Sequence, residues 1–185
     1  ALFNSTKRAE DNAGGILSYA YLSGENITKM PEGRPMVVRT PNSRFNLPNF
    51  MKTHLYSAFA PLKIGNDILS KEEHIKADVF IAQGGLFKTP KVGQQVLADA
   101  LDTPITVMSN AGEGGPWGMA ILALFAKDNA DNLSLADFLD KKVFSNPEST
   151  TVEPNPEGVK GCNEFIEAYK KGLVVESQAV KSIEL

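Results

Sequence analysis

The residues best suited to hold a ligand follow one short apolar run. Val79-Phe80-Ile81-Ala82 leads into Gln83-Gly84-Gly85-Leu86-Phe87-Lys88-Thr89, and a helical pattern then runs from Pro90 or Lys91 to Ala100. Two glycines at the end of a strand let a ligand approach bare backbone that a Cβ would block, and the following helix offers unpaired amides to an anion. A nucleotide is the natural guest of such a turn. Glycine's φ freedom also explains the pair as a tight β-to-α turn, and on these residues alone that is the simpler reading.

A second glycine cluster, Gly112-Glu113-Gly114-Gly115-Pro116-Trp117-Gly118, fails the dinucleotide pattern because Trp117 stands at its third glycine. No Gly-Lys dipeptide occurs, which excludes a Walker P-loop. Gly114, Gly115 and Gly118 instead read as small residues that let the apolar helix Trp117–Ala126 lie close on a sheet, with Glu113 as a carboxylate at the helix start. His54 and His74 have no ligand-spaced partner and read as structural histidines. Asp99, set between Leu97 and Leu101, reads as a local cap or pairing group. No Ser/His/Asp set is apparent.

Charge and cysteine usage narrow the partners. Nineteen basic against 22 acidic side chains leave a net charge of -3, so no basic footprint points to nucleic acid or anionic lipid. The apolar stretch Trp117–Ala126 is about half of the ~20 residues that a membrane span requires. Cys162 is the single cysteine, which excludes an internal disulfide and any cysteine-based metal centre, and a reducing compartment, the cytoplasm, is the expected location.

The elements that must position these residues alternate short β-rich runs with longer helical patterns, an α/β signature. With 185 residues and 42% apolar side chains, there is material for one compact core. Strands are expected at Ile16–Tyr21, Met36–Arg39, Val79–Ala82 and Ile105–Met108. Asn46 should cap a long helix with Pro48 in its first turn. There Leu47, Met51, Leu55, Ala58, Phe59, Leu62 and Leu69 form the expected apolar face, and Pro61 and Gly65 predict a kink or break. Ser134 should cap a short helix to about Lys141. Ser145–Pro156 reads as a proline-rich polar connector. Helices over Val159–Gly172 and Val175–Ile183 complete the chain.

Read together, Gly84-Gly85, Phe87-Lys88-Thr89 and Gln94 or Gln95 with Ala98-Asp99 resemble the C-terminal domain of the FGGY-type carbohydrate kinases, the family of xylulokinase, ribulokinase and glycerol kinase. In that family a strand ending in Gly-Gly, an Ala-Lys-Ser-like turn and a helix with Gln-x-x-x-Ala-Asp form the adenosine side of the ATP site. Glu113 with Gly118-Met119-Ala120 resembles the small-residue helix that follows, and Tyr21-Leu22-Ser23-Gly24-Glu25 is similar to a segment of the xylulokinase branch. The chain departs from the pattern at Tyr56-Ser57, where the family usually has Glu-Gly, and at Val37-Val38, where it has a glycine.

The resemblance implies an α/β ribonuclease H-like domain of the actin-like ATPase fold, incomplete at its N-terminal hairpin. It spans residues 1–144, with a connector and helical tail over 145–185. It further implies ATP or ADP with Mg²⁺ as cofactor and phosphoryl transfer to a pentulose such as xylulose. The sugar and the catalytic aspartate would be held by an N-terminal domain outside this chain. Gly84 and Gly85 would line the nucleotide, Leu86 and Phe87 would wall the adenine, and Thr89 or Gln94 would offer a polar contact. Lys88 is placed to reach a phosphate, though by residue type it reads as solvated. An alternative of another class is a non-catalytic nucleotide-binding or interaction module, pairing as a homodimer through an open sheet edge.

Overall fold

The computed structural model describes residues 2–89, 91–109, 112, 114–129, 131–145 and 148–183. The polar opening forms a short helix α1 (Leu2–Ser5) and two 3₁₀ turns that deliver the chain to β1 (Ile16–Tyr19). β1 pairs antiparallel with β2 (Met36–Arg39), and α2 (Leu47–Lys71) follows. β3 (Phe80–Ala82), α3 (Val92–Leu101) and β4 (Ile105–Met108) form a parallel β-α-β unit in which Phe80 lies opposite Ile105 and Ala82 opposite Val107. After α4 (Gly114–Lys127) and α5 (Leu135–Phe138), β5 (Ser149–Val152) pairs antiparallel with the other side of β4, and α6 (Pro156–Ser182) ends the fold. The second sheet therefore runs β3-β4-β5. Among the described residues no helix is long and apolar enough to cross a membrane.

Several elements differ from expectation for physical reasons. Asn46 caps α2 as expected, accepting from the Asn49 amide, but the helix runs unbroken through Pro61 and Gly65. Its buried face is also rotated. Leu47, Leu62 and Leu69 are about half exposed, while Asn49 and Thr53 are fully buried alongside Leu55, Tyr56, Phe59 and Ala60. Hydrogen bonds make this polar stripe buriable. Asn49 donates to the Arg44 carbonyl, Thr53 to the Ile16 carbonyl at 2.9 Å, and Tyr56 to the Asp11 carbonyl at 2.6 Å. Asn49, Thr53 and Tyr56 thus each have a partner, which removes the desolvation cost that would otherwise turn them outward.

The proline-rich connector contains β5. Thr150, Thr151 and Val152 are β-branched, and β4 presents the edge on which they pair. α6 is one helix with no break near Gly172, capped by Asn155 through the Glu157 amide. It is not a detached tail, because Cys162, Phe165, Ile166 and Tyr169 sit in the same apolar cluster as Tyr19, Leu55, Tyr56 and Leu97. Tyr169 stacks on Tyr19 at 4.7 Å and donates to the Tyr21 hydroxyl at 2.6 Å. Burial pushes the Cys162 thiol up to about 12, which makes it an inert core group. By contrast α4, expected to lie buried on a sheet, has no buried residue, and nothing lies near a Cβ placed on Gly115 or Gly118.

Asp99 joins α3 to α6, consistent with a local pairing group. It is buried and accepts from Gln95 Nε2 and from the Asn155 amide, both at 2.8 Å. Burial holds its carboxyl above the usual carboxylate range, against the opposing pull of those donors and of Lys52. A folded-state pKa above the unfolded value means that this contribution to stability is complete below about pH 4 and is lost as pH rises through the folded pKa. Asp99→Asn keeps an acceptor for Asn155 and does not ionise. Urea midpoints between pH 4 and 7 should therefore show the wild type losing stability relative to the variant as pH rises, whereas parallel curves would show that Asp99 does not titrate there.

Candidate functional site

Because β3 and β4 are parallel, both end at one edge of the sheet, and the sequence after each is rich in glycine. This is where open α/β sheets hold ligands. After β3 the chain turns at Gly84 with φ 128° and ψ 170°, a conformation that a side chain would strain. Gly85–Lys88 form a 3₁₀ turn closed by the Phe87 amide donating to the Gly84 carbonyl at 3.1 Å. A Cβ placed on Gly84 or Gly85 would meet no heavy atom within 4 Å. Gly84 is thus required by the backbone itself. Gly85 is not, and its bare backbone faces open space.

Gly112 and Gly114, which follow β4 in sequence, lie beside this turn. A Cβ on Gly112 would come within 2.7 Å of Lys88 Cε, and one on Gly114 would collide with the Gln83 side chain. The Lys88 stem therefore lies against Gly112 and the Gln83 side chain against Gly114. Glu113 and Pro90 lie outside the described residues.

Leu86 and Phe87 are half-buried and pack against the core, with Leu86 over Gly93 of α3, so only part of each faces the turn. Lys88 is exposed and Thr89 half-buried at the end of the same turn. Gln94 is turned away from this group. It is 3% exposed, and its Nε2 donates to the Ile105 carbonyl at 2.8 Å and the Thr150 carbonyl at 2.7 Å. The expected polar contact from Gln94 to a ligand is replaced by a strut from α3 to β4 and β5. Gln94→Leu should cost about 2 kcal/mol by leaving two carbonyls without donors. Amides of β5 should lose exchange protection while the glycine turn is unchanged. Full stability with altered nucleotide binding would return Gln94 to the ligand.

His54 lies edge-on to Phe50 at 4.7 Å, and burial lowers its pKa, as suits a structural histidine. Among the described residues no group of three His, Cys, Asp or Glu side chains is placed to hold a metal ion.

Comparison with known proteins gives this geometry a context. The family model of the C-terminal domain of the FGGY carbohydrate kinases matches residues 1–127. Xylulose kinase of Haemophilus influenzae is 23% identical over 163 residues, 88% of this chain and 32% of its own length. A ligand-bound xylulose kinase from Lactobacillus acidophilus has the same fold with a TM-score of 0.71 at 17% identity, over 98% of this chain and 34% of that one. Glycerol kinase of Plasmodium falciparum, solved with ADP, gives 0.65 at 16% identity, over 100% of this chain and 34% of that one. The chain thus spans about a third of the length of these relatives. At such identities the likeness shows the fold, an α/β ribonuclease H-like domain of the actin-like ATPase kind. With the family model covering more than half its length, the chain belongs to the C-terminal domain of the FGGY family of carbohydrate kinases.

Proposed function

We propose that this chain is the nucleotide-binding half of an ATP-dependent sugar kinase acting on a pentulose such as xylulose, and that it is inactive alone. The observation that carries the reading is the open approach to bare backbone at Gly84-Gly85, at the end of parallel strands. ATP would lie along this turn, with Leu86 and Phe87 offering the apolar surface for adenine, Thr89 a hydroxyl, and Lys88 a charge near the phosphates. Magnesium bound with the nucleotide would neutralise charge as the γ-phosphoryl group passes to the sugar hydroxyl. The base that takes the hydroxyl proton, and the sugar contacts, would come from outside this chain.

The pentulose assignment is supported by the similarity to a xylulose kinase. Gluconate kinase of Lactobacillus acidophilus shares the fold with a TM-score of 0.69, so fold alone does not select the sugar. A coupled assay for ADP release, run on the longer polypeptide that carries this chain, should show turnover with xylulose and none with the isolated chain. Turnover with gluconate or glycerol but not xylulose would contradict the pentulose reading.

One observation favours a role in association as well. Met119 and Leu122 of α4, three residues apart on one face of the helix, are 69% and 49% exposed, an apolar surface that water-facing helices rarely present. A homodimer would cover it, and sedimentation equilibrium of the chain decides the point, a monomer at high concentration contradicting it.

A further inference from the structure

We propose that Gly93 is a positioning residue for the Gly84–Lys88 turn, its missing side chain giving Leu86 a seat on α3 that fixes the backbone along which ATP would lie. The inference rests on the nucleotide reading of that turn and extends it to a residue outside the turn itself. Gly93 is the second residue of α3 and is buried. It has no positive φ, so the backbone does not call for glycine, and within a helix glycine is less favourable than alanine. What calls for it is Leu86. A Cβ placed on Gly93 would stand 3.0 Å from Leu86 Cγ and 3.2 Å from the Leu86 carbonyl oxygen, tighter than ordinary van der Waals contact.

Crowding at this seat passes to the turn, because α3 is the side that is held. Val92 and Gln94, on either side of Gly93, are both 3% exposed, and Gln94 is tied to the Ile105 and Thr150 carbonyls. The Leu86 carbonyl instead belongs to the 3₁₀ turn, whose Gly85 and Lys88 are exposed. It shares one planar peptide with the Phe87 amide, the group that closes the turn by donating to the Gly84 carbonyl at 3.1 Å. Pushing that carbonyl aside by a few tenths of an ångström therefore tilts the closing amide and carries the Gly84-Gly85 backbone with it. The same displacement moves the Leu86 side chain, part of the apolar surface offered to adenine. One absent methyl group on α3 thus sets the place of both the bare backbone and its apolar neighbour.

The test compares Gly93→Ala with the wild type, each as the full ¹⁵N-labelled chain. Without nucleotide, hydrogen exchange of the Phe87 amide should quicken at least about fivefold in the variant. ADP with Mg²⁺ should bind about tenfold more weakly, while the thermal midpoint stays within about 4 °C of the wild type. A general loss of stability would give the opposite pattern, a lowered midpoint with exchange quickened throughout. Gly65→Ala in α2, where a Cβ meets only the Ile27 side chain at 3.6 Å, is the control for alanine in a helix and should change neither Phe87 exchange nor ADP affinity. Leu86→Ala empties the seat from the other side and keeps the test usable if Gly93→Ala fails to fold. It should also quicken Phe87 exchange, and the two substitutions together should be less than additive. Phe87 exchange unchanged by either substitution, or a displaced turn with undiminished ADP affinity in Gly93→Ala, would overturn the proposal. A wild type that binds no ADP would overturn the nucleotide reading instead, and Phe87 exchange would still decide whether Gly93 holds the turn.

Discussion

Tyr169→Ala is expected to destabilise the chain by about 3–5 kcal/mol, the range for deleting a buried aromatic ring. Tyr169 is fully buried, lies 5.9 Å from the Phe165 ring and stacks on Tyr19, so removing it opens a void where α6 meets β1 and the loop after it. The loop is held by the same ring, since the Tyr169 hydroxyl donates to Tyr21, which in turn accepts from Thr28 at 3.0 Å. Tyr169→Phe keeps the ring and loses only that hydrogen bond, so it should cost about 1 kcal/mol. The comparison separates packing from polarity. Urea denaturation of the three proteins reads both numbers, and a loss under about 1 kcal/mol for the alanine variant would mean that α6 does not fold with the rest of the domain.

α6 also shows where sequence reading stops. Its two apolar stretches are legible, but the burial of its second half is not, since there Glu176 is fully buried and its carboxylate accepts from the Arg34 amide at 2.7 Å. A glutamate in a polar-looking stretch gives no sign that a distant loop needs it. β5 was hidden for a related reason, because four residues within a proline-rich segment become a strand only where β4 offers an edge and Gln94 bridges to the Thr150 carbonyl. The polar face of α2 is not legible in the sequence, since hydrophobic periodicity cannot anticipate that Asn49 and Thr53 find backbone partners on other segments.

Local signals fared better. β2, β4 and the core of β1 follow from short apolar runs, and the caps at Asn46 and Ser134 from side chains that satisfy free amides three residues on. The glycine turn was legible because its residue types announce both a special backbone and an absent side chain. What the sequence left open was whether Gly85 serves the turn or a ligand. Of the pair only Gly84 has a positive φ, and a side chain at Gly85 would touch nothing in the protein, so the turn itself does not require a glycine there.

Gly85→Val is therefore the second large effect expected. Valine fits the protein without contact, so thermal stability should change by less than about 1 kcal/mol, while its β-branched side chain fills the approach to the backbone. Calorimetric titration of ADP with Mg²⁺ into the wild type and into Gly85→Val shows whether the nucleotide lies on this turn. Saturable one-to-one binding is expected in the wild type, with a loss of at least about 100-fold in the variant, equivalent to about 2.7 kcal/mol. Equal affinity in both proteins would contradict it, because the nucleotide would then lie away from the Gly84-Gly85 turn.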